Sequence, residues 1–288
     1  MQDRSVHSTI DVETIPDPLE GGEKEAPGEG PKSKADRYGR FVWPVVIFVI
    51  VVGTWEFLSR AEVLNRFILP APTAIADAMT ELAVEGFFWD AVRVTVLETV
   101  AGFALGSTVG FVVGAAIASF KILRQGLYPY VVLFQGLPKV ALAPLFVVWF
   151  GFGISSKIVM AAAICFFPLL VNTISGLDSV DDSAKSFMRA YGASKRHVFV
   201  KLSLPTALSS AFAGLKTGMS FALVGAIVGE FVGSQEGMGS LIATFNFGLQ
   251  VDSAFAVLVY LTVVGLILYL AIEWLEHKVI FWRGHGVA

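Results

Sequence analysis

RAYGASKRHVFVKLSLP, residues Arg189 to Pro205, lies between two long apolar runs. It carries Arg189, Lys195, Arg196, His197 and Lys201 together with Ala190, Val198, Phe199, Val200 and Leu202. A plain connection between apolar runs needs no such hydrophobic content, so this segment has a structure and a surface of its own. Ahead of Gly192, the residues Ala184, Phe187, Met188 and Tyr191 recur at i, i+3, i+4 and i+7, one face of a helix. Asp181, Asp182 and Ser183 suit a helix start, where acidic and capping side chains meet free N–H groups. Gly192 matches a terminating glycine, which enters the left-handed conformation without a side-chain clash. Ser194 can cap a second helix whose apolar face is Val198, Phe199 and Leu202. Pro205 then falls in the first turn of the next apolar run, where a missing N–H costs little. The spacing predicts helix, glycine turn, helix over about 178–205. Such a pair fits two uses equally: an amphipathic patch on anionic lipid, or a docking surface for a partner protein.

The flanking runs decide the fold class. Of 288 residues, 55% are hydrophobic and only 16% charged, against about 25% charged in an average soluble domain. Mean hydropathy is +0.69. About 20 mostly apolar residues suffice for a helix to cross a bilayer, and six segments qualify: Phe41 to Ser59, Val94 to Phe120, Tyr128 to Trp149, Lys157 to Leu177, Thr206 to Val232 and Ala254 to Trp274. The expected fold is an all-α integral membrane protein with about six transmembrane helices. The stretch GMGSLIATFNFGL, between Glu230 and Asp252, is too short to cross and is expected at the membrane surface.

Residues 1–36 differ in kind. Asp3, Asp11, Glu13, Asp17, Glu20, Glu23, Glu25, Glu29 and Asp36 crowd into a Gly- and Pro-rich stretch that buries nothing, the composition of a disordered tail. Its length and acidity are those of no cleavable signal peptide. Residues 37–288 form the membrane domain. Cys165 is the sole cysteine, so no disulfide framework or cysteine-based metal site is expected.

Orientation follows the Lys/Arg asymmetry of the short loops. One side collects Lys32, Lys34, Arg37, Arg40, Lys121, Arg124, Lys185, Arg189, Lys195, Arg196, Lys201, Lys278 and Arg283. The other holds Arg60, Arg66, Arg93 and Lys157. Both termini and the 178–205 segment are therefore expected on the cytoplasmic side.

The segment resembles the cytoplasmic loop of bacterial ABC-importer permeases, whose pattern reads E-A-A, three residues, Gly, nine residues, Ile, one residue, Leu-Pro. Gly192, Leu202, Leu204 and Pro205 fall on the Gly, Ile, Leu and Pro positions. Ser186, Phe187 and Met188 stand at E-A-A, a departure that removes the glutamate. AYGASKRHVFVKLSLPTAL, GLKTGMSFALVGAIVGEFVGSQEGMGSLI, ILPAPTAI and LFQGLPKVALAPLFVVWFGFG look like the nitrate/sulfonate/taurine branch, over about Phe41 to Trp282. The resemblance implies a bacterial plasma (inner) membrane protein working as a permease pair, a homodimer. Two ATP-binding subunits carry ATP and Mg, and an extracytoplasmic solute-binding protein delivers the cargo. It also makes the loop the ATPase-coupling element, with Phe187, Met188, Ala190, Tyr191, Gly192, Ala193, Ser194, Leu204 and Pro205 at its contacts.

The chain has no G-x-x-x-x-G-K-[ST] phosphate loop, so it is expected to be no enzyme and to hold no cofactor or metal. Membrane lipid is the other expected partner; nucleic acid is not. Gln135, Lys139, Lys216 and Glu230 fall within spans or at their ends. A charge in hydrocarbon costs about 2.5–3.5 kcal/mol on insertion scales, so such groups face a bundle interior or water. They could line a translocation pathway, where two lysines suit a small anionic solute such as a sulfonate, nitrate or aromatic carboxylate. The structural alternative is that Lys139 and Lys216 snorkel, or pair with Glu98 or Glu230 and hold helices together. Pro138 and Pro144 interrupt the third span, a weak pointer to a pathway. Gly102, Gly106, Gly110 and Gly114 form a G-x-x-x-G ladder suited to close helix contact, within the chain or across a dimer. An ion-coupled secondary transporter or channel is the alternative class, although no internal repeat supports it.

Overall fold

A computed structural model describes residues 34–281, with side chains from Val42 onward. The acidic tail therefore lies outside the described residues except for 34–36, which open the first helix; Lys32 and Arg283 lie outside them as well. The chain divides into two units, residues 1–53 and 54–288, and the division falls within helix α1 (Lys34–Arg60). The described part of the first unit is the leading stretch of that helix.

In the second unit the described residues form helices joined by turns and short loops. After α1 come α2 (Pro72–Val84), α3 (Gly86–Ser119), α4 (Lys121–Gln135), a 3-10 turn (Lys139–Leu142), α5 (Ala143–Phe150) and α6 (Ile154–Asp178). The loop helices α7 (Asp182–Ala190) and α8 (Lys195–Val198) follow, then α9 (Leu204–Gly233), α10 (Met238–Phe247) and α11 (Val251–Val279). Five stretches are long and apolar enough to cross a membrane, and α4 with α5 makes a sixth if that bent pair is one span. The expected count holds.

The third span differs from the single run read in the sequence. α4 and the helix beginning at Lys139 meet at 88° across the break. Pro138 supplies no N–H and excludes Leu137 from helical backbone, so the helix stops there. Pro144 does no such damage, because it stands in the first turn of α5.

The core of the spanning region is three helices, with α6 between α3 and α9. Glycines remove the side chains at both contacts. On α3, Gly102, Gly106, Gly110 and Gly114 are buried while Leu97, Leu105, Val109 and Val112 point outward. A Cβ on Gly110 would stand 2.7 Å from the Phe166 carbonyl oxygen, and one on Gly114 2.9 Å from that of Leu170. The ladder therefore packs within the chain, against α6. From the other side Gly214 and Gly225 of α9 meet Leu169, Asn172 and Ala161 of α6 just as closely. Dispersion over such close backbone contact replaces the hydrophobic effect, which hydrocarbon surroundings do not supply.

Two short helices build a second core. α2 buries Ile75, Ala78 and Leu82, one face at i, i+3 and i+7, against Phe88, Ala256 and Val257. Met238 and Ile242 of α10 close this cluster. GMGSLIATFNFGL thus does not span, as expected, but it is packed into the fold through Met238, which is fully buried.

Candidate functional site

The loop forms as its residues dictate. Asp181 caps α7, its carboxylate accepting from the Ser183 amide at 2.9 Å. The Lys185 ammonium donates to Asp182 at 2.9 Å, and this hydrogen bond, with its charge, holds the Asp182 carboxyl below the ordinary carboxylate range. At the other end Gly192 takes φ +82°, while the amides of Gly192 and Ala193 return to the carbonyls of Arg189 and Met188 at 2.9 and 3.0 Å. Ser194 Oγ then accepts from the His197 amide at 3.2 Å and starts α8. Helix, glycine turn and helix stand where the spacing put them.

The second helix does not stop before the span. α8 passes through one wide turn, residues 199–203, straight into α9, so that Lys195–Gly233 is a single apolar helical stretch of 39 residues. In that turn the Leu204 amide reaches back five residues to the Phe199 carbonyl. Pro205 explains the widening: it has no N–H for the Lys201 carbonyl, and its ring would strike that carbonyl in an ordinary turn. Leu204 and Pro205 are half-buried at this junction. On α7, Met188 is half-buried, whereas Phe187 and Tyr191 are 63% and 79% exposed with ring centroids 4.7 Å apart. Among the described residues nothing covers the outer side of this aromatic pair.

The break in the third span makes the second feature. Gln135, Leu137, Lys139 and Val140 from the bend, with residues of α6 and α9, enclose a cavity of about 480 Å³. The Lys139 ammonium donates to the Gln135 carbonyl at 3.0 Å and sits 4.5 Å from the centroid of the Phe167 ring. No carboxylate lies within ion-pair distance of it among the described residues, so its charge is met by a carbonyl dipole and a ring face. Asn172 lines the opposite wall, donating its side-chain amide to the Pro168 carbonyl at 2.8 Å. Pro168 in turn leaves the Ile164 carbonyl without its helical partner, and Ile164 lines the same cavity. Freed backbone groups at membrane depth occur where protein or water satisfies them. Gln135 and Lys139 are thus brought together; Asn172, Thr217 and Phe167 join them unannounced, although a lone Asn within an apolar run is itself a signal.

Lys216 and Glu230 lie elsewhere. Lys216 pairs with Glu276 of α11 at 2.8 Å, not with Glu98 or Glu230. Glu230 is buried near the end of α9, where it accepts from the Thr95 hydroxyl at 2.6 Å and the Gly239 amide at 2.5 Å. Glu98 lies against it, also buried, and its Oε2 receives no donor from the described residues. Lys157, which sequence position put among the outer loop charges, is buried here too. Its ammonium donates to the Phe152 carbonyl, to that of Gly153 at 3.1 Å and to that of Gly233 at 2.6 Å. Three carbonyls, two from the turn between α5 and α6 and one from the end of α9, converge on one cation, which corrects the loop reading. Glu230 and Lys157 therefore tie the two ends of the α9–α10 turn.

Comparison with known proteins agrees with this architecture. The family described as binding-protein-dependent transport system inner membrane component matches residues 106–281. A probable ABC transporter permease protein of Haemophilus influenzae is 33% identical over 242 residues, 84% of this chain and 98% of its own. The formylaminopyrimidine transport permease protein of Halalkalibacterium halodurans is 31% identical, over 83% and 95%. A putative aliphatic sulfonates transport permease protein of Bacillus subtilis is 28% identical, over 90% and 97%. Among solved structures, a chain of a bacterial ABC transporter importing the acidic polysaccharide alginate superposes with a TM-score of 0.57 at 15% identity, covering 85% of this chain and 98% of that one. At that identity the likeness is one of fold.

Proposed function

The chain belongs to the family of binding-protein-dependent transport system inner membrane components, and from that premise we propose that it carries a small anionic solute through the cavity at the third-span break. It is a multi-pass permease subunit of an ABC importer, and that membership favours an ATP-driven importer over an ion-coupled carrier or channel without an ATPase. In our reading the work is done by two copies of this chain in a bacterial plasma membrane, driven by two separate subunits that bind ATP and Mg, and fed by an external solute-binding protein. The chain itself catalyses no reaction. Both termini face the cytoplasm.

The observation that carries the reading is the α7 surface. Phe187 and Tyr191 stand outward on a helix capped at both ends, the form a groove on another protein accepts, and α8 behind them is one rod with α9. Met188, Ala190, Gly192, Ala193 and Ser194 shape this knob, and Leu204 and Pro205 join it to the span. ATP-driven closure of the partner subunits would shift the pathway because it favours one position of the knob over another. The missing motif glutamate leaves the aromatic pair as the principal anchor.

Gln135 and Lys139 line the proposed pathway, Lys139 offering an unpaired positive charge to an anion. Lys216 and Glu230 hold helices together instead. A flat heterocycle is the second reading, favoured by Phe167 and Phe221 in the same wall and by a relative that transports formylaminopyrimidine. Affinity purification of the tagged chain from host membranes tests the assembly: a stoichiometric ATPase with a phosphate loop supports it, and a clean homo-oligomer sinks it. Uptake of a sulfonate against a neutral pyrimidine by the same cells separates the two cargo readings.

A further inference from the structure

The ends of α3 and α6, the start of α4 and the α7–α8 loop enclose a different kind of cavity. Two adjoining pockets of about 480 Å³ each share Ala118, Ser119, Lys185 and Arg189 in their walls. Six cations line them: Lys121, Arg124, Lys185, Arg189, Lys195 and Arg196. Carboxylates answer only two. Arg124 holds Asp178 through both guanidinium nitrogens at 2.7 and 2.6 Å, and Lys185 holds Asp182. The other four have no carboxylate within ion-pair distance among the described residues. Like charges gathered around one concavity repel unless an anion enters it.

The position of the cavity selects the anion. Its walls are the last turns of two spans and the first turn of a third, where a membrane ends and water begins. Beside Lys121, Phe120 lines the second pocket and is 61% exposed, and Ile122, the next residue after Lys121, is 85% exposed. A free anion has no use for these apolar side chains, whereas an amphiphile meets both parts. We propose that this cavity binds the phosphate headgroup of an anionic phospholipid, with the acyl chains running past Phe120 and Ile122. Through the headgroup the α7–α8 loop is tethered to the α3–α4 junction, and anionic lipid becomes a structural component of the loop. The inference stands independently of the cargo and of the ATPase.

The test uses the complete transporter reconstituted with phosphatidylglycerol, exchanged into phosphatidylcholine, with retained lipid counted by mass spectrometry. Wild-type protein is expected to keep phosphatidylglycerol, and K121Q/K195Q to lose it, roughly fivefold for each cation removed. K201Q/K278Q makes the same charge change outside both pockets and is expected to retain the lipid. Should K121Q/K195Q fail to assemble, single K121Q and the charge-preserving K121R/K195R decide the matter, the first losing lipid and the second keeping it. Excess inorganic phosphate is expected to leave retention unchanged; displacement would make this a free-anion site and overturn the lipid reading. Equal loss from both double variants would reduce the effect to diffuse surface charge. Unchanged lipid with a lost ATPase would reassign the cations to protein contact.

Discussion

The Thr95 hydroxyl donates to Glu230 Oε1 at 2.6 Å and accepts from the Met238 amide at 2.8 Å. One side chain of α3 thus satisfies the end of α9 and the start of α10 together, inside a region from which water is excluded. Thr95→Val keeps the shape and strands both partners. Each buried polar group left unpaired costs about 1–3 kcal/mol, so the variant should lose about 2–6 kcal/mol of stability in detergent, and Thr95→Ser much less. Thermal unfolding followed by loss of monodisperse protein measures it; equal stability of the two variants would refute the assignment.

Lys139 is the half-buried charge of the proposed pathway. Lys139→Gln should lower uptake of an anionic solute about tenfold, the effect of losing about 1.4 kcal/mol of attraction. ATPase activity without solute should stay near its starting level, since the loop is untouched. Uptake assays over a range of ionic strength check the prediction, because the loss should shrink as salt screens the wild-type charge. An unchanged uptake rate would remove Lys139 from the pathway.

Gly192 has φ +82° with open space where a Cβ would project, so backbone strain alone decides a substitution there. A β-branched residue in the left-handed region is an outlier, and the conformation costs L-residues roughly 1–2 kcal/mol. Gly192→Val should therefore leave membrane insertion intact while uptake collapses, since the cost falls on the loop and not on the spans. Normal uptake by the variant would show that the turn is no part of coupling.

Close contact between α3 and α6 leaves no room at Gly110, where a Cβ would meet the Phe166 carbonyl at 2.7 Å. Gly110→Val should cost more than the about 1–3 kcal/mol typical of overpacking, because the obstacle is backbone. Folded protein recovered per cell, compared with a Val109→Leu control on the outward face, reports it. A normal yield would mean that α3 and α6 lie farther apart than described.

The spans, the loop and its caps were legible because each is a local pattern. Twenty apolar residues, an aspartate at a helix start and a glycine at its end all act within a few positions of themselves. Lys157 was not legible. Its burial depends on carbonyls of Phe152, Gly153 and Gly233, and Gly233 lies 76 positions away, so a lysine at the edge of an apolar run looked like a loop charge. Lys216 likewise finds Glu276 across the bundle. The glycine ladder was visible as spacing, but its partner α6 was not, since spacing announces a close contact without naming the other side. α2 as an element, and the packing of α10 into the fold, were not legible for a different reason. They are 13 and 10 residues long, and their stability comes from packing on α11 and on Phe88 of α3.

Residues Lys195 to Gly233 form an uninterrupted rod. At about 1.5 Å of rise per residue it is about 58 Å long, nearly twice the about 30 Å of hydrocarbon it crosses. A tilt of about 5° at one end displaces the other by about 5 Å, by plain leverage over that length. Its contact with α6 is smooth, because glycines leave few rotamers to reorganise as the surfaces slide. In the proposed coupling, pressure on the knob at Phe187 and Tyr191 would reach the Glu230 turn through the lean of this one rod, which α11 holds midway through the Lys216–Glu276 pair.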